Sequence, residues 1–135
     1  MESSNKGIVW ATLADSSVKK LQEVIKLPQG FNPPEHFHVT LYFGVFKAPY
    51  ENLIGKKVKI SISKYCYNEN VIAIPADLTG TGLKSQNEVP HITWGLATGI
   101  SPVESNKMLA SAHFNETIPL TEVDLEVQFL EWKPK

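Results

Sequence analysis

The chain contains no arginine: all thirteen basic residues among its 135 are lysines, and the formal net charge is −1. Bidentate guanidinium clamps on phosphate are therefore excluded, and nothing draws the protein as a whole to nucleic acid. A single cysteine, Cys66, excludes an internal disulfide. With no Cys pair and only four His, a tetrahedral zinc site is not expected, and no cofactor is expected either. Apolar runs are broken throughout by charge or proline, so no segment approaches a membrane span. No P-loop, low-complexity tract or secretory leader is found, which predicts an intracellular, cytoplasmic protein. The length predicts one domain, 1–135, expected to be a monomer.

What is present is alternation. GIVWATL (Gly7–Leu13) predicts a strand. Asp15–Leu27 places Val18, Leu21, Val24 and Ile25 on one side of a helix that PQG ends. The connector FNPPE is stiffened by Pro33 and Pro34 and leads into a strand over His36–Phe46. A loop or short helical turn follows, then a hairpin of Lys57–Cys66 with Val71–Leu78, where Pro75 predicts an edge strand or a bulge. The polar, Gly-containing stretch 79–90 predicts a mobile loop. Pro90–Ala97 predicts a strand, and Ser101-Pro102-Val103-Glu104 has the spacing of a capping box opening a helix to about His113. Thr121–Trp132 alternates as a last strand, with Val123, Leu125, Val127 and Phe129 inward, and the terminal KPK is expected to fray.

Two strands carry matched patches, HFHVTLYFG around His38 and PHITWGLA around His91. Side chains alternate across a strand, so His38 and Thr40 share one face and His91 and Thr93 another, with Val39, Leu41, Ile92 and Trp94 behind them. Two facing imidazoles titrate near neutrality and can act as general base and general acid, and two hydroxyls can donate to the oxygens of an anion. A phosphate diester needs these same groups: a base for the attacking water, an acid for the departing oxygen, and donors for the extra charge.

The paired His-x-Thr motifs resemble those of the two-histidine (2H) phosphoesterase superfamily. PHITWGLATGISPVESNKML, with its Pro-Val-x-Ser-Asn-x-x-Leu follow-on, is most similar to the cyclic phosphodiesterase domain of the tRNA-ligase type. The resemblance implies an α+β, bilobal fold: two antiparallel-rich sheets flank a central cleft, helices lie outside, and each lobe contributes one motif. It also implies metal-independent hydrolysis of a cyclic phosphate on an RNA end or nucleotide, a 2′,3′-cyclic phosphate yielding a 2′-phosphate. His38, Thr40, His91 and Thr93 would be catalytic. Alternatives are a phage-type hydrolase of cyclic oligonucleotide immune signals and a non-catalytic nucleotide-binding module.

Substrate contacts are expected from Trp10 and Tyr42, as stacking surfaces for a base, and from Lys84, the one cation of the 79–90 loop. Trp132 is a further stacking candidate, while Trp94 faces away from His91 into the core. His36 and His113 lack a matched Thr and are read as structural, His36 hydrogen-bonding near the rim and His113 closing a helix, where a cation suits the dipole. The His36-x-His38 spacing could bind a metal on a strand, but the resemblance is to a metal-independent family.

Overall fold

The computed structural model describes residues 6–111 and 113–132; the terminal KPK lies outside them. Seven strands and two α-helices follow in the order β1 (Gly7–Leu13), α1 (Asp15–Val24), β2 (Phe31–Asn32), β3 (His38–Val45), β4 (Lys57–Tyr67), β5 (Val71–Pro75), β6 (His91–Ala97), α2 (Glu104–Leu109) and β7 (Phe114–Glu131). Ala48–Tyr50 forms a 3₁₀ turn. No helix among the described residues is long and apolar enough to cross a membrane.

The expected α+β arrangement of two flanking sheets is not what the chain builds. All seven strands join one antiparallel sheet, and six of them, β1, β3, β6, β5, β4 and β7, close on themselves as a barrel. Two features produce closure. Strand β7 runs 18 residues, well beyond the expected Thr121 start, so its first half pairs with the end of β4 and its second half with β1. Strand β5 has partners on both sides, β4 and β6, so Pro75 does not mark a sheet edge. It ends the strand opposite His91, while the register slip lies between Ile72 and Ala73.

One face of the closed sheet is apolar all the way round. Val9, Val39, Leu41, Ile74, Ile92, Val123 and Val127 are each fully buried and belong to a single cluster, which Leu21 of α1 and Ile25 just after it complete. Trp94 is held there as well, its indole N–H donating to the Ile25 carbonyl at 3.3 Å, as its place opposite His91 predicts. Ser17, also fully buried, uses its hydroxyl to accept the Asp124 N–H at 2.8 Å, tying α1 to β7. A smaller cluster on the outer face, Cys66, Val71, Ala73 and Met108, seats α2 on β4 and β5.

Both helices are shorter than their patterns predict. Helix α1 ends at Val24, and Ala14 rather than Asp15 is its cap residue. Ser101, Pro102 and Val103 form a turn and no capping box; α2 begins at Glu104, and no side chain caps it. His113 does close that end of the chain: its Nδ1 lies 3.1 Å from the Met108 carbonyl and 2.8 Å from that of Ser111.

Because the barrel interior is close-packed, Ile92→Ala is expected to lower the unfolding free energy by about 2–5 kcal/mol in urea denaturation. Leu120→Ala on the exposed surface should stay within about 0.5 kcal/mol. Equal losses in the two variants would contradict this assignment of the core.

Candidate active site

Strands β3 and β6 meet at one recorded pair, Val39 opposite Ile92. In an antiparallel ladder, one step either way puts His38 across from Thr93 and Thr40 across from His91. Each imidazole therefore lies beside the hydroxyl of the other motif. The neighbouring strands continue both rows, with Thr12 opposite His38, Trp10 opposite Thr40, Ala73 opposite Thr93 and Pro75 opposite His91. All four His and Thr side chains line one outer-face cleft of about 660 Å³. They come from adjacent strands of one sheet, not from two lobes.

Ring nitrogens are set by backbone carbonyls. A carbonyl can only accept, so Nδ1–H of His38 donates to the His36 carbonyl at 3.1 Å and Nδ1–H of His91 to the Val89 carbonyl at 2.8 Å. In both rings Nε2 remains as the proton-exchanging nitrogen. The same local device, a carbonyl two residues upstream, orients both rings. Burial lowers the His38 imidazole; the His36 carbonyl opposes that effect, the His36 and His91 rings add to it, and the net value is about 4. Burial also lowers His91, against the bond to the Val89 carbonyl. At neutral pH both rings are uncharged bases.

The other sequence candidates divide. Trp10 lies in the cleft wall, its ring centroid 4.3 Å from that of His38 and 5.5 Å from that of His36. Tyr42 does not reach the cleft. A bulge in β3 places Val9 opposite Tyr42 and the next residue, Trp10, opposite Thr40, so Leu41 is the extra residue. Beyond it the side-chain phase reverses. Tyr42 turns inward to stack on Tyr50 at 4.5 Å, and Phe43 takes the cleft position. Gly44 follows with φ +72°, where a side chain would be strained. Trp132 lies edge-on to Phe43 at 5.0 Å.

Lys84 lies apart, in a separate depression lined by residues of the 76–90 segment. That segment is pinned to β3: Ser85 Oγ donates to the Thr40 carbonyl at 2.7 Å, the Gln86 N–H to the Leu41 carbonyl at 2.8 Å, and the Gln86 side chain accepts the Phe43 N–H at 2.9 Å. It bonds the backbone of β3 beyond Val39, where the pairing with β6 stops, and it delivers Asn87 to the cleft.

Alternation alone does not find Phe43, Asn87, Ser105 or Asn106. Asn106 lines the cleft together with the turn Ser101–Val103, while Ser105 stands behind Thr93, the two hydroxyl oxygens 2.8 Å apart. Ser105 and Asn106 do stand in the Pro-Val-x-Ser-Asn follow-on, the signal that could have flagged them. His36 precedes β3 instead of sharing its face with His38, yet it lines the cleft rim and its Nε2 is 3.9 Å from Glu35.

A cleft whose floor offers two uncharged imidazoles and two hydroxyls is equipped for proton transfer on an anionic substrate. Residues 9–128 match the family described as the fungal tRNA ligase phosphodiesterase domain, and the chain belongs to that family. It is a cyclic phosphodiesterase. No curated protein matches it significantly over its sequence.

The lowered His38 has a consequence for stability. The unfolded chain takes up this proton near 6.5 and the folded one only near 4, so the stabilisation is present above 6.5 and is lost as pH falls from 6.5 toward 4. Urea unfolding at about pH 7.5 and about pH 5 should show a smaller acid loss for His38→Asn than for the parent. An identical acid loss in both proteins would count against the burial of a neutral ring here.

Proposed function

We propose that the chain hydrolyses 2′,3′-cyclic phosphate ends of RNA to 2′-phosphates, without a metal, by two-histidine acid–base catalysis. The observation that carries this reading is the pair of Nε2 atoms presented over one cleft floor, each imidazole beside a Thr hydroxyl. His38 accepts a proton from water as the water oxygen attacks phosphorus. The P–O3′ bond breaks opposite the attacking oxygen, and His91 delivers a proton to O3′. Thr40 and Thr93 donate to the non-bridging oxygens as negative charge builds there.

Burial lowers both rings, and the neighbouring charges of His36 and His91 lower His38 further. That added repulsion supports His38 as base and His91 as acid. The phosphate monoanion, once bound, favours that protonated His91. Trp10 offers its face to the base of the terminal nucleotide, and Phe43 extends the aromatic surface along the cleft. An arginine-free, weakly acidic chain holds such a substrate by stacking and neutral donors, which suits a nucleotide end better than a long phosphate backbone.

Hydrolysis of a panel in EDTA tests the reading: 2′,3′-cyclic AMP, a short RNA with a 2′,3′-cyclic end, and cyclic di- and trinucleotides. The RNA end is expected to be preferred, with His38→Ala and His91→Ala each about 10²–10⁴-fold slower. Turnover confined to the cyclic oligonucleotides would move the substrate to immune signals, and binding without turnover would mark a nucleotide-binding module. On an activated aryl phosphodiester, whose leaving group needs no proton, His91→Ala should recover most of its loss and His38→Ala should not; the opposite pattern would exchange the two roles.

The pH profile of kcat/KM should be bell-shaped and lie on the acid side of neutrality. It rises through the His38 value of about 4 and falls as His91, held below 6.5 by burial, loses its proton. A rate still climbing above neutrality would be incompatible with it. Trp10→Ala should raise KM with kcat little changed, and a loss confined to kcat would argue against stacking.

A further inference from the structure

We infer that Ser105 is a positioning residue for the reaction, holding the Thr93 hydroxyl so that its proton is directed into the cleft; the inference rests on the phosphate contact of Thr93 proposed above. Ser105 is fully buried on α2, and its Oγ lies 2.8 Å from Thr93 Oγ1. A Ser buried this completely beside Met108 on the packed side of a helix could be an alanine at little cost unless its hydroxyl is used.

Each hydroxyl of the pair has one proton and can also accept. If Thr93 donates to Ser105, its proton is spent and lone pairs face an incoming anion. If Ser105 donates to Thr93, the Thr93 proton is free to point into the cleft, which this residue, only 9% exposed, helps to line. With a phosphate oxygen in place, the relay from Ser105 to Thr93 to the anion makes two bonds where the reverse order makes one. Polarisation along the relay strengthens the donor as charge develops. Thr40 is served differently, its carbonyl accepting from Ser85. The two motifs are thus supported unequally: among the described residues the hydroxyl-to-hydroxyl bond falls on the Thr of the second.

The geometry has a second part. Ser105 stands on the element whose preceding turn, Ser101–Val103, walls the cleft, so one hydrogen bond both directs the Thr93 hydroxyl and anchors that wall to β6. A bond that only anchors the wall and a relay make different predictions: a displaced wall raises KM, a lost relay lowers kcat, and a double-mutant cycle shows whether the effect passes through Thr93.

Turnover of a 2′,3′-cyclic RNA end is compared for the parent, Ser105→Ala, Thr93→Val and the double variant, with thermal unfolding of each. Ser105→Ala is expected to lower kcat about tenfold with KM nearly unchanged, and to lower it no further in the Thr93→Val background. Equal fold-losses from Ser105→Ala with and without the Thr93 hydroxyl would overturn the relay, and a loss that falls on KM with kcat unchanged would leave only an anchor for the cleft wall. An unchanged kcat in Ser105→Ala, with a clear loss in Thr93→Val, would overturn the inference alone. An unchanged kcat in Thr93→Val would overturn the phosphate contact and the inference with it. Should Ser105→Ala fail to fold, Ser105→Cys, which keeps the volume and weakens the donor, replaces it in the same cycle with the same expected pattern.

Discussion

The pairing of Val39 with Ile92 closes the barrel and builds the cleft in one contact. Behind it, two fully buried β-branched side chains enter the common core. In front of it, the same register lays His38 beside Thr93 and Thr40 beside His91. A slip of one residue would send the imidazoles inward and the aliphatic side chains into solvent, so burial of Val39, Leu41, Ile92 and Trp94 enforces the geometry of the polar groups. Core energetics thereby hold the site in place, and the polar groups need supply little of that stability themselves.

The second constraint is the β3 bulge. It ends the alternation that set His38 and Thr40 on the outer face and turns Tyr42 into the core and Phe43 out to the cleft, while Gln86 bonds the backbone of Leu41 and Phe43 beside it. Ser85 and Gln86 tie the 79–90 segment to β3, and Lys84 lies in a depression apart from the cleft. Burial then acts on the chemistry. The imidazoles sit on an apolar wall beside Trp10, in a site without a guanidinium, and burial lowers both, so both are uncharged at neutral pH and a bound anion favours the protonated acid. Proton affinity is tuned here by desolvation, the resource left to a chain without arginine.

Much of the site was legible because a strand's period of two is strict. The His-x-Thr spacing puts both groups on one face whatever the fold, and the apolar residues between them declare the other face buried. Trp10 was legible for the same reason. Tyr42 was misassigned because a bulge has no dependable signature in alternation. Lys84 was misplaced because a polar loop does not announce which strand it will bond. Ser105 stands in the motif's follow-on, yet local spacing gives no sign that its hydroxyl reaches a strand twelve residues back.

The sequence by itself determined the strands, their buried faces, the two motifs and, through these, the family. Those properties are local, set by side-chain period and by the free energy of covering apolar surface. Only the tertiary structure decided that the sheet closes into a barrel instead of dividing into two lobes, that β5 is flanked on both sides, and that the motifs meet in opposed register. Closure depends on hydrogen bonds between strands remote in the chain, which alternation does not encode. The direction of those bonds, not the composition of the strands, brings two imidazoles to one cleft.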